Sequence, residues 1–148
     1  MGERARLVGI NHVALEVGDL DAALEWYGSI FQFELRGRVP GMAFLDMGDQ
    51  FIAVAEVGGS RVADGERHFG LVVDSVAVAR SALESAGAEV LPGRGLDFRD
   101  PWGNHVQVVE YGEVQFSKTS GALRALGLDG VEKSAEARRQ MRERGLDS

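Results

Sequence analysis

One pattern occurs twice in this chain, and that duplication constrains the fold more than any other feature of the sequence. The copies lie about 56 residues apart. His12 pairs with His68, Leu15 with Leu71 and Val17 with Val73. The helix-opening Asp19 pairs with Asp74 within one residue. Late in each copy, Gln50 to Val57 pairs with Asn104 to Tyr111, setting Ala53 against Gln107 and Glu56 against Glu110. A repeat of this kind implies two similar units that bury one face against each other.

Within the first copy, Leu7 to Val17 alternates as a strand. Val13, Leu15 and Val17 share one face, and His12, Ala14 and Glu16 the other. Gly18-Asp19 breaks it, and Asp19 can cap the helix Asp21 to Phe31, where Leu20, Leu24, Tyr27 and Phe31 have helical spacing. Strands follow over Phe33 to Val39, Met42 to Met47 and Gln50 to Val57, the last two joined by the hairpin signal Gly48-Asp49. After a polar loop from Gly58 to Glu66, the second copy gives a strand over Arg67 to Val73 and a helix over Val76 to Ala86 stopped by Gly87. Short strands then run over Ala88 to Leu91, Leu96 to Arg99 and His105 to Tyr111. Asp100-Pro101-Trp102-Gly103 carries the residues of a type I turn.

Each copy therefore reads strand–helix–strand–strand–strand. The expected class is α+β, with two tandem βαβββ modules over about 7–57 and 67–112 inside one domain, 1–117. Residues 118–148 form a helical tail, with helices expected over Ser120 to Leu126 and Lys133 to Arg144. The tail reads as an arm that packs on the body or on a partner subunit; a lid over a pocket is the alternative.

Composition narrows the partners. The chain has no cysteine, which excludes disulfides, zinc–thiolate sites, iron–sulfur clusters and thiol nucleophiles. Residues 1–117 hold 9 basic and 18 acidic side chains and the tail holds 7 and 5, for a net charge of −7. An acidic body argues against nucleic acid, which needs a concentrated positive face. No apolar run approaches the ~20 residues of a membrane helix. Met1-Gly2-Glu3-Arg4 is polar and meets Val8 too soon for a signal peptide, so a cytoplasmic location is expected.

Chemistry points to the histidines. There are three, and His12 and His68 occupy equivalent positions on first strands. A pseudo-twofold brings equivalent positions together, and imidazole is the commonest metal ligand. The text around them, Asn11-His12-Val13-Ala14-Leu15-Glu16-Val17-Gly18-Asp19-Leu20 running into Leu24-Glu25-Trp26-Tyr27, resembles the vicinal oxygen chelate superfamily. So do His68-Phe69-Gly70-Leu71-Val72-Val73-Asp74 and Asp100-Pro101-Trp102-Gly103-Asn104. That group includes glyoxalase I, fosfomycin-resistance transferases, methylmalonyl-CoA epimerase, extradiol dioxygenases and bleomycin-resistance proteins. The resemblance covers roughly residues 7–112. It implies modules that pair into eight-stranded half-open barrels, within a chain or across a homodimer. It also implies a divalent ion (Ni, Zn, Mn or Fe) held by first-strand histidines and a last-strand carboxylate or amide.

Carried over residue by residue, the resemblance gives His12, His68 and Gln107 as the metal set. The late position usually holds Glu; here, four residues after Gly103, it holds Gln107, and its first-module equivalent is Ala53. Glu56 and Glu110 lie three residues further on, so strand alternation turns them to the opposite face. A set of His12, Glu56, His68 and Glu110 therefore needs a bulge. Two neutral histidines and a neutral amide leave the ion's charge uncompensated. His105 shares Gln107's face and is a further candidate ligand or substrate contact; Glu16 is too far along its strand to join His12 in one coordination shell. By parity the pocket face carries Ala14, Glu16, Phe51, Ala55, Gly70, Val72, Val109 and Tyr111, small or apolar for the most part, which suits a small organic ligand.

The resemblance leaves a glyoxalase-like metalloenzyme, moving a proton on a substrate chelated through vicinal oxygens, with Glu110 and Tyr111 as the catalytic candidates. The alternative is a metal-free drug- or metabolite-binding protein of the bleomycin-resistance type, for which His12 and His68 have no use. An extradiol dioxygenase needs two histidines and a carboxylate, so a re-aimed Glu110. A fosfomycin transferase is disfavoured because Pro92-Gly93-Arg94-Gly95-Leu96 lacks that family's Ser- and Lys-bearing cation loop.

Overall fold

The computed structural model describes residues 4–6, 9–59 and 61–146. Leu7 and Val8, the expected start of the first strand, lie outside these, as do Met1 to Glu3, Ser60, Asp147 and Ser148.

Module one runs β1 (His12–Val17), α1 (Leu20–Ile30), β2 (Leu35–Val39), β3 (Met42–Asp46) and β4 (Phe51–Glu56). Module two runs β5 (Phe69–Val73), α2 (Val76–Ser85), β6 (Glu89–Leu91), β7 (Leu96–Arg99) and β8 (His105–Glu110). The fold is α+β, two βαβββ units followed by C-terminal helices. Each module makes one mixed sheet, ordered β1-β4-β3-β2 and β5-β8-β7-β6. The first strand lies parallel to the last, and the others alternate antiparallel. Among the described residues no strand pairing joins the two sheets: β1 and β5 are each an outer strand of their own sheet.

The alternation decides what is buried. Leu15, Val17, Ile52 and Val54 of module one, and Leu71, Val106 and Val108 of module two, face the helices and are buried. Leu20, Ala23 and Tyr27 of α1 and Ala79 and Leu83 of α2 close over them. The two modules share one core. Trp26 of α1 and Phe31, which caps its C-terminal end, pack 5.8 and 6.1 Å from the ring of Phe98, which belongs to β7 of the other module and is fully buried.

Each helix opens the same way. Asp19 accepts the N–H of Ala22. In module two the cap is Ser75, which accepts the N–H of Val78. Ser75 lies at the full repeat offset, so it corrects the expected partner, Asp74. A glutamate from the last strand adds a second cap: Glu56 accepts the N–H of Leu20 at 2.8 Å, and Glu110 that of Val76 at 2.9 Å.

A buried polar network ties the modules. Asp100 Oδ1 accepts the N–H groups of Trp102 and Asn104, closing the turn that the sequence predicts. Its Oδ2 accepts the Tyr27 hydroxyl and the Asn104 side chain, each at 2.8 Å. Asn104 also donates to the carbonyl of Glu16 on β1. Burial, and then the Asp100 charge, push the Tyr27 phenol well above its ordinary range.

Beyond β8 the chain turns through a short 3-10 segment (Tyr111–Glu113) into α3 (Ser120–Ala125) and α4 (Ala135–Glu143). Thr119 and Ser134 cap these helices. Lys133 donates to the Tyr111 carbonyl and lies 3.5 Å over the Tyr111 ring. Burial lowers the pKa of its amine. Lys118 pairs with Asp49, and Leu126 packs on Gly48, so the tail rests on the β3–β4 turn of module one. No helix among the described residues is long and apolar enough to cross a membrane.

Candidate functional site

The helix-free faces of the two sheets are where chemistry can occur. On module one this face carries His12, Ala14 and Glu16, all exposed, and the half-buried Phe44, Phe51 and Ala55. On module two it carries Gly70, Val72, Asp97, His105, Gln107 and Val109.

His12 and His68 sit at equivalent entrances to β1 and β5, and their rings are held in the same way. His12 Nδ1 lies 2.8 Å from the Asn11 side-chain oxygen, and His68 Nδ1 lies 2.7 Å from the Glu66 carbonyl. An oxygen acceptor at Nδ1 fixes the proton there and leaves the Nε2 lone pair outward, the arrangement a metal-ligating histidine uses. The His12 ring stacks on Phe51, with centroids 4.7 Å apart and planes 8° apart. His68 instead lies against His105, at 4.8 Å.

His105 differs. Nδ1 lies 2.8 Å from the Gly65 carbonyl and Nε2 lies 2.7 Å from Asp97 Oδ2. Both ring nitrogens face oxygen atoms of the protein, so neither is turned outward toward an ion. Gln107 sits two residues further along β8, directly opposite Asp97 on β7 and beside Gly70 on β5. The structure thus brings His68, His105, Asp97 and Gln107 together on one sheet and sets His12 on the other. Among the described residues, no three His, Asp or Glu side chains converge as an ion site.

The expected catalytic pair lies elsewhere. Glu110 points to the helix side, where its carboxylate caps α2. Tyr111 was expected on the pocket face by parity, but β8 ends at Glu110 and the 3-10 segment rotates the ring inward. It is 7% exposed, and its hydroxyl accepts the Lys118 N–H. Glu16 is engaged as well, paired at 3.0 Å with Arg61. Asp97, on the same sheet face and bonded to His105, is a residue that the sequence does not single out. Glu110→Ala should therefore act as a lost helix cap, costing about 1 kcal/mol in urea unfolding. Unchanged stability would show that the cap carries no weight.

The described residues of the segment joining the modules, 57–59 and 61–68, fix the site's edge. The Asp64 N–H donates to the Gly103 carbonyl, and Arg99 donates to the Asp64 carbonyl. Arg61 reaches both Glu16 and the Trp102 carbonyl. Between this strap and β1 lies an open cavity of about 520 Å³, bordered by Ala14, Glu16, Arg61, His68, Asn104 and His105.

The sequence model of the Glyoxalase/Bleomycin resistance protein/Dioxygenase superfamily matches residues 9–108. No curated protein matches the sequence. Among solved structures, the genomically encoded fosfomycin resistance protein FosX from Listeria monocytogenes is 21% identical. The match covers 70% of this chain and 91% of that one, with a TM-score of 0.60. FosX from Mesorhizobium loti is 17% identical over the same shares, with a TM-score of 0.58. A Listeria FosX structure complexed with Mn(II) and a sulfate ion is 18% identical, covers 82% of this chain and 99% of that one, and has a TM-score of 0.60. At these identities the likeness is one of fold.

Proposed function

This chain belongs to the glyoxalase/bleomycin resistance protein/dioxygenase superfamily, and from that premise we propose that it is a small-molecule metalloenzyme of the glyoxalase-like type. Its ion would be held by His68 and Gln107 of one copy and His12 of a second copy in a homodimer. The observation that carries the reading is the matched pair of histidines. Each has Nδ1 satisfied by an oxygen and Nε2 without a hydrogen-bond partner among the described residues, at an equivalent place on an exposed sheet face. Two copies are invoked because His12 and His68 lie on separate sheets whose outer strands, β1 and β5, carry them.

The donors fit a divalent ion in kind: two imidazole nitrogens and an amide oxygen. Such an ion would act as a Lewis acid toward two neighbouring oxygens of a bound substrate. The chain's own contribution is orientation. Asn11 and the Glu66 carbonyl fix the tautomer and tilt of the two rings. The small and apolar residues Ala14, Ala55, Gly70 and Val72 give the substrate a surface with few competing polar groups. Glu110 and Tyr111 take no part in the reaction on this reading, because each is engaged on the other side of the sheet or in the core. The Mn(II) complex of the Listeria FosX supports Mn(II) as the ion to try first.

The test is ion content and its complementation. Wild type loaded with Mn(II) and desalted should retain about one ion per chain, and His12→Ala and His68→Ala almost none. When the two variants are co-expressed, mixed dimers keep one intact site of two, so ion content should return to about a quarter of wild type. No recovery would show that both histidines serve one chain. No ion in wild type would remove the metalloenzyme reading.

A second reading, a metal-free binding protein for a small aromatic compound, draws on module one alone. There Phe51 is stacked on His12, edged by Phe44 at 5.8 Å and covered by Arg36 at 4.8 Å, a ready aromatic platform. Absence of ion in wild type, with quenching of ligand fluorescence lost in Phe51→Ala, would favour it.

A further inference from the structure

We infer that Asp97 supplies the carboxylate of the ion site, and that His105 is the positioning residue that holds it there. This rests on the proposed ion at His68 and Gln107 and adds a ligand to it. A divalent ion bound by two neutral imidazoles and a neutral amide keeps its full charge, and manganese-like ions favour carboxylate oxygen. The last strand supplies no carboxylate on this face, because Gln107 stands where one would be expected and Glu110 is turned away to cap α2.

Asp97 is placed to fill that gap. It is the direct cross-strand partner of Gln107 in the β7–β8 ladder, so the two side chains leave the same face side by side. Their tips meet over Gly95: a Cβ built there would lie 3.4 Å from Gln107 Nε2 and 3.5 Å from Asp97 Oδ1. Gly95 therefore leaves open the space that both tips border. Asp97 Oδ2 is held by His105 Nε2 at 2.7 Å, while Oδ1 makes no hydrogen bond among the described residues. The Asp97 side chain keeps 23% of its surface and that of His105 only 10%, so the carboxylate reaches the face and the imidazole backs it. His105 is fixed in turn by the Gly65 carbonyl, and its ring lies against His68. One histidine thus buttresses both an expected ligand and the new one, as groups behind a metal site do.

The measurement is Mn(II) and Ni(II) affinity of the full chain, by calorimetry and by the Mn(II) electron paramagnetic resonance signal, with thermal unfolding recorded on every variant. Asp97→Asn, which keeps shape and removes charge, should weaken Mn(II) by about 100-fold and Ni(II) by much less, about 10-fold. Gln107→Ala should weaken Mn(II) by under about 10-fold. His105→Gln should fall between them, about 10- to 100-fold. The change in Mn/Ni preference is the readout that a loss of folding alone does not produce. Mn(II) affinity in Asp97→Asn within about threefold of wild type, with His68→Ala still abolishing binding, overturns the role of Asp97 and leaves the proposed ion site standing. Wild type that binds no ion, or binds it independently of His68, overturns both.

Discussion

Replacing Asp100 with alanine is expected to cost about 4 kcal/mol of folding stability, a large fraction of what a domain of this size has. The carboxylate is 4% exposed and accepts four hydrogen bonds. Two come from backbone N–H groups of its own turn. One comes from Asn104, whose other side-chain donation reaches β1, and one from Tyr27 on α1. Truncation strands all four donors where water reaches poorly, and each such loss is worth about 1–3 kcal/mol before relaxation. Tyr27→Phe removes one donor and leaves the carboxylate three, so it should cost only about 1 kcal/mol. A double-mutant cycle between the two should return a coupling of about 1 kcal/mol or more. Tyr27 also gives a pH signature. Its folded pKa is raised, so the stability linked to its neutral form is intact below its ordinary value of 10.0 and lost as pH rises above it. Wild type should therefore lose stability in that alkaline range faster than Tyr27→Phe. Urea titrations of wild type, the two single variants and the double variant decide the matter; additive losses for Asp100→Ala and Tyr27→Phe would mean that the network does not act as a unit.

The duplication made most of this architecture legible, because a two-residue side-chain period leaves little freedom once a strand is found. The face assigned to Glu56 and Glu110 came from parity alone, and the structure gives both the same task, capping the helix of their own module. Parity failed at Tyr111, where it was carried one residue past the end of the strand into a 3-10 segment with a different period. It was also silent on Asp97. Nothing local to Leu96–Arg99 tells which residue of β8 will lie opposite, because register is set by the turn at 100–104 and by packing of Phe98. The resemblance was equally silent on whether the modules close on each other. It allowed a barrel within one chain or between two, and in the structure the two sheets stay separate. Hydrogen-bond partners of the histidines belong to the same class of information. Asn11 is adjacent in sequence to His12, but the Gly65 carbonyl reaches His105 from 40 residues away, through a strap whose described residues form no helix or strand.

That strap is why Gly103→Ala should rank with Asp100→Ala in its effect. Gly103 has φ +85°, a backbone conformation that costs alanine about 1 kcal/mol. Space is the larger cost. A Cβ there would lie 2.7 Å from the Ala63 Cα, 3.1 Å from its Cβ and 3.3 Å from its nitrogen. The obstacle is backbone rather than a mobile side chain, so the strap itself must shift, and the total should be about 3 kcal/mol or more. The same shift reaches the site. The Asp64 N–H bond to Gly103 is the first of several that seat the strap, and the carbonyls of Gly65 and Glu66 further along hold His105 and His68. If these carbonyls orient the rings, Gly103→Ala should lower Mn(II) affinity about 10-fold at a temperature where it remains folded. Ala63→Gly in the same chain removes the Cβ contact but not the Cα one, so it should restore only part of either loss. A Gly103→Ala protein within about 0.5 kcal/mol of wild type would show that the strap yields freely. It could not then be what fixes the two histidines, and their orientation would have to come from the strands alone.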